Sequence, residues 1–141
     1  MVHALREARR VLVPGGVLID LRPGIAHRRV KVVRGGRAEL IGAMREKFDD
    51  VHAANRAVRG AVGHGLFNFE GRQRVDCDRV MDGLDDLRDW LADFRSRDDT
   101  LPPHDWLVER VARALGTRRR RGSVLVSGPL ELRVLTKRAK L

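Results

Sequence analysis

The stretch Ala4-Leu5-Arg6-Glu7-Ala8-Arg9-Arg10-Val11-Leu12-Val13-Pro14-Gly15-Gly16-Val17-Leu18-Ile19-Asp20-Leu21-Arg22-Pro23 decides how this chain is read. Leu5, Ala8 and Leu12 recur at helical spacing, with Glu7, Arg9 and Arg10 on the other side. Pro14 blocks continuation of a helix, and Gly15 and Gly16 can take the left-handed angles of a tight turn into a strand. Residues 17–21 carry apolar side chains on both alternating faces, the pattern of a strand covered on both sides. Helix, turn and buried strand together predict an α/β fold.

This block resembles the L-R-E-x-x-R-V-L-x-P-G-G-x-L segment of class I S-adenosylmethionine-dependent methyltransferases, where it is the helix entering the fifth strand of a doubly wound sheet. The resemblance implies a partial Rossmann-like sheet: that fifth strand, a helix-rich insert, and a C-terminal antiparallel hairpin. In that family the first four strands build most of the methyl-donor site, through a Gly-rich loop after a strand and an acid ending the second strand. No segment here fits that loop, because Gly35-Gly36, Gly60, Gly63 and Gly65 lack both its spacing and its flanking strand. The glycines at 60–65 read instead as a helix end. The chain is therefore expected to be the C-terminal part of a methyltransferase-like fold, without the N-terminal cofactor-binding motif. No cofactor is expected for the isolated chain, and S-adenosylmethionine only if an N-terminal half completes it.

At 141 residues the chain is long enough for one domain, 1–141, with the variable substrate-side insert at 24–117. A 43% hydrophobic fraction argues against wholesale disorder. No apolar stretch approaches the roughly 20 residues that span a bilayer, and Pro14, Gly15 and Gly16 interrupt the only apolar run resembling a leader. The single cysteine, Cys77, excludes an internal disulfide and a multi-cysteine zinc site, which suits a reduced, cytoplasmic setting. A formal charge of +10 raises the possibility of a nucleic-acid partner. Against it, lysine occurs only at Lys31, Lys47, Lys137 and Lys140, the basic residues are interleaved with acids, and residues 118–121 are the one true arginine run.

The remaining chain reads as alternating elements. Runs at 30–33 and 38–41 flank Gly35-Gly36, a hairpin signal. Asp49 or Asp50 is placed to cap a helix with Val51, Ala54, Val58, Ala61 and Val62 on one stripe. Residues 66–69 and 74–75 read as extended around Gly71. Asp82 opens the clearest helix, with Leu84, Leu87, Leu91 and Phe94 inward, and Pro102-Pro103 opens another with Leu107, Val111 and Leu115 inward. Runs at 123–127 and 130–136 are expected to form a hairpin through Gly128-Pro129. The closing pattern Leu132-Arg-Val-Leu-Thr-Lys137 is similar to the family's last strand, and Cys77-Asp-Arg-Val-Met-Asp-Gly-Leu-Asp-Asp-Leu-Arg-Asp-Trp-Leu91 resembles the insert element that leads a strand into a leucine-x-x-leucine helix.

Asp20, Arg22 and His27 are the candidate substrate-facing residues, at or just beyond the C-terminal end of the first strand, where open α/β sheets collect ligands. Arg22 suits an anionic substrate group and His27 a general base. The alternative is an Asp20 that caps a loop, an Arg22 in a surface ion pair and a solvated His27. No catalytic residue is assigned. His3, His52, His64 and His104 have no metal-ligand spacing, so no metal is expected. Cys77 reads as an inert, partly buried thiol, and Trp90 and Trp106 as core anchors.

Two functions follow. The first is the substrate-side portion of an S-adenosylmethionine-dependent methyltransferase, inactive alone, acting on a small-molecule methyl acceptor when completed. The second is a non-catalytic basic module that binds nucleic acid or another polyanion. If the fourth strand is absent, the strand at 17–21 is an open edge, which predicts a homo-oligomer or a complementing chain there.

Overall fold

In the computed structural model, which describes residues 2–97, 103–116 and 122–139, the opening block is helix α1 (Val2–Val11), a turn and strand β1 (Val17–Pro23). Gly15 stands at φ 74, and the Gly16 N–H donates to the Val13 carbonyl at 2.8 Å, closing a Pro14-Gly15 turn of type II. Strands β2 (Arg29–Arg34) and β3 (Arg37–Ala43) form the expected hairpin. Its two central glycines, Gly35 at φ 53 and Gly36 at φ 75, both take the left-handed region that a two-residue turn of this kind demands.

Helix α2 (Asp49–Gly63) begins after Phe48 with no side-chain cap. Asp49 and Asp50 are thus not its caps; they lie in its first turn, where the helix dipole favours negative charge. Strand β4 (Phe67–Met81) is one long strand rather than two short pieces, because Gly71 keeps an extended backbone instead of turning. Helix α3 (Leu84–Arg97) starts two residues beyond Asp82. The Asp82 N–H donates to the Asp86 carboxylate at 3.0 Å. Helix α4 (Asp105–Leu115) ends at Gly116, φ 62. The expected helix-opening Pro102 and the arginine run at 118–121 lie outside the described residues.

Strand β5 (Gly122–Lys137) corrects the expected C-terminal hairpin. Gly128-Pro129 is not a turn but the point where the strand changes partner. Residues up to Ser127 pair antiparallel with β2, and residues from Leu130 pair antiparallel with β1. Proline cannot donate to a ladder, and a gap between two partner strands is a place where no donor is required. The Pro129 carbonyl is still used, accepting from the Gly24 N–H at 2.8 Å. Among the described residues the strands form a five-stranded antiparallel sheet in the order β1-β5-β2-β3, with β4 also paired to β5, and with the four helices described the class is α/β. Among the described residues, no helix is long and apolar enough to cross a membrane.

The chain divides into two compact units. The first comprises Met1–Ile25, Phe48–Val75 and Pro129–Leu141. Its core is small: Leu5 of α1, Val58 and Ala61 of α2, Phe67 of β4 and Leu135 of β5, with Leu12 and Leu18 packed against them. The second comprises Ala26–Lys47 and Asp76–Gly128. Its core is larger, built from Val30 and Val32, Leu84, Leu87 and Leu91, Leu107, Val111 and Leu115, and Val124 and Val126. Trp90 packs against this core, tilted on Phe94. Trp106, expected as a core anchor, is 37% exposed and lies over Gly42, where a Cβ would come within 3.0 Å of its ring.

Candidate functional site

In the first unit, β1 alternates in exposure along its length. Val17, Ile19 and Leu21 are 53%, 61% and 57% exposed, whereas Leu18, Asp20 and Arg22 turn to the less exposed side. The strand is therefore covered on one face only, where its sequence predicts cover on both. The register with β5 sets Asp20 opposite Arg133 and Arg22 opposite Glu131. Residues directly opposite one another share a face, so the four form a square in which charges alternate.

Along β1, Arg22 Nε donates to Asp20 Oδ2 at 3.0 Å, and along β5, Arg133 Nε donates to Glu131 Oε1 at 2.7 Å. A second guanidinium nitrogen of each arginine closes on the same oxygen. All four side chains are between 13% and 19% exposed. Coulomb attraction gains strength in such surroundings, but so does the cost of any group left unpaired. One group is unpaired: Arg22 Nη1 is buried without a hydrogen-bond partner.

Asp20 and Arg22 are thus brought together, while His27 belongs to the second unit. There the Nδ1 of His27 accepts from the Glu46 backbone N–H at 3.2 Å. A neutral imidazole with Nδ1 as acceptor carries its proton on Nε2, so its one lone pair is committed to that bond. Glu46 in turn holds Arg28, accepting its backbone N–H at 2.8 Å and its Nη1 at 2.5 Å, while the Arg28 guanidinium lies over Phe94. Glu46 thus joins His27 and Arg28 in one network within the second unit.

Sequence reasoning missed the second half of the square, although its signal is present. Asp20-Leu21-Arg22 and Glu131-Leu132-Arg133 are the same acid–Leu–Arg pattern, and antiparallel pairing turns two such tripeptides into complementary rows. It also missed a cavity of about 470 Å³ in the first unit. Asn55, Val58, Arg59 and Val62 line it at the three- and four-residue spacing of one face of α2, joined by Phe69 and Arg72 of β4 and by Arg133.

No group of three or more His, Cys, Asp or Glu side chains suited to a metal occurs among the described residues. Cys77 is exposed on β4, not partly buried as expected, because alternate and successive positions through that stretch of the strand are left uncovered. Comparison of the chain with protein-family models, with curated proteins and with solved structures finds no match in any of the three.

Proposed function

We propose that this chain is the substrate-side portion of a methyltransferase-like fold, which requires a donor-binding portion beyond these residues to bind S-adenosylmethionine. The observation that carries the reading is β1. Its helix-turn-strand block has the residue pattern of a doubly covered strand, yet Val17, Ile19 and Leu21 are more than half exposed. Apolar residues in that arrangement belong under a further layer of structure. The antiparallel pairing of β1 with the C-terminal half of β5 is also what the family resemblance implies for the closing strand of its sheet. In this reading Arg22 and its square orient the strand end, and the segment after β1 shapes the acceptor side. The protein would contribute orientation and water exclusion to in-line methyl transfer.

The test is retention of radiolabelled S-adenosylmethionine after photo-crosslinking. It compares the 141-residue chain with the product expressed together with the coding sequence immediately upstream. Label is expected on the longer product or complex and not on the 141-residue chain. Micromolar binding by the short chain alone, or no label on either, would overturn the proposal.

A further inference from the structure

We infer that the cavity beneath α2 in the first unit is a binding site for a phosphate monoester with an apolar body. The inference stands on that cavity alone and holds whether or not the methyltransferase reading does. The walls divide by chemistry. Val58 and Val62 of α2 and Phe69 of β4 make an apolar surface, and Asn55, Arg59, Arg72 and Arg133 place polar groups around it. A volume of about 470 Å³ lies within the range of small-molecule sites, roughly 300–1,000 Å³, and the mixture of apolar wall and few convergent polar groups is their usual composition.

Phe69 is the largest apolar side chain of the cavity wall. It shares its strand face with Phe67, two residues before, and Phe67 is 1% exposed in the core. Phe69 is 47% exposed, because the space next to it is the cavity rather than a side chain. A large aromatic left uncovered on an inward strand face lacks a contact that a ligand ring or branched chain would provide.

Charge selects the head group. Neither Arg59 nor Arg72 has a hydrogen-bond or ion-pair partner among the described residues, whereas Arg133 is neutralised by Glu131. The cavity therefore carries two uncompensated guanidinium charges. A phosphate monoester carries about −1.5 to −2 at neutral pH and presents three acceptor oxygens, which suits two planar forks better than a single carboxylate does. Asn55 can add one neutral hydrogen bond, to an ester or hydroxyl oxygen.

Calorimetric titration of the full chain with 1-naphthyl phosphate tests the assignment, with inorganic phosphate, 1-naphthol and 1-naphthoate as comparators. We expect 1-naphthyl phosphate to bind at least tenfold tighter than each comparator. The double variant Arg59→Gln/Arg72→Gln should lose at least tenfold in affinity for it while keeping the wild-type melting temperature. Phe69→Ala should weaken 1-naphthyl phosphate and leave inorganic phosphate unchanged. Equal binding of 1-naphthol, equal binding of 1-naphthoate, or wild-type affinity in the double arginine variant would each overturn the inference.

Discussion

The two units use the same kinds of element and bury them differently. In the second, the β2–β3 hairpin and the N-terminal half of β5 are packed by α3 and α4, and Val30, Leu87, Leu107, Val111 and Val124 reach zero exposure. In the first, β1 and the C-terminal half of β5 are backed by α1 and α2, but the shared face is half charged. The other face of β1 remains open. On the covered face of their strands, Asp20, Arg22, Glu131 and Arg133 stand where β2 and the N-terminal half of β5 have Val30, Val32, Val124 and Val126. A unit whose apolar residues are turned inward is stabilised by burial. A unit that turns isoleucine out and arginine in gains less from apolar burial and carries paired charge on the covered face of its sheet instead.

The largest expected effect is in the second unit. Leu107→Ala removes a fully buried side chain and should cost about 2–5 kcal/mol by denaturant unfolding. Leu5→Ala, in the smaller core of the first unit, should fall at the low end of the same range, since the site is nearer to solvent. Equal losses at the two positions would erase the distinction between the units.

The charged square comes next. Arg133→Met leaves Glu131 without its partner in a site only 13–19% exposed and should cost about 2 kcal/mol. Replacing both, Arg133→Met with Glu131→Leu, should recover most of that loss, because no unpaired charge remains. A double variant as unstable as the single one would mean that the square holds the strands together by charge rather than merely being tolerated.

A backbone effect in the second unit is smaller. Gly36→Ala forces a side chain into φ 75 at the hairpin turn and should cost about 1 kcal/mol, read as a lowered melting temperature. The smallest change in stability is expected at the open face of the first unit. Ile19→Lys, at a position 61% exposed, should alter unfolding free energy by no more than about 0.5 kcal/mol. The same substitution should abolish self-association of the isolated chain, followed by sedimentation across the micromolar range. A wild-type chain that is monomeric at every concentration would remove the argument that this face awaits a partner.

Much of this architecture was legible in local pattern. Leu5, Ala8 and Leu12, the Pro14-Gly15 turn, the Gly35-Gly36 hairpin, and the stripes Leu84-Leu87-Leu91 and Leu107-Val111-Leu115 all fall where spacing and turn chemistry place them. These are short-range features, in which a few neighbouring residues carry the whole signal. Gly128-Pro129 failed because the dipeptide has two uses. As an isolated pair it favours a turn, and only the partner change from β2 to β1 makes an extended proline acceptable.

The candidate site shows the same division. Asp20 and Arg22 could be named from their place at the end of a strand, but their partners lie more than a hundred residues away in sequence. Which face each side chain occupies depends on register, and a shift of one residue would have turned Val17, Ile19 and Leu21 inward and the charges outward. The cavity is less visible still, since Arg59, Arg72 and Arg133 converge only through the packing of α2 on the sheet. The sequence by itself determined the four helices, the first strand, the β2–β3 hairpin and their apolar stripes, because those depend on neighbours in the chain; the continuity of β4 and β5 did not follow from it. The tertiary structure alone decided which charges face each other, which apolar face stays open and where a pocket remains, because pairing register and packing act between residues that are distant in sequence.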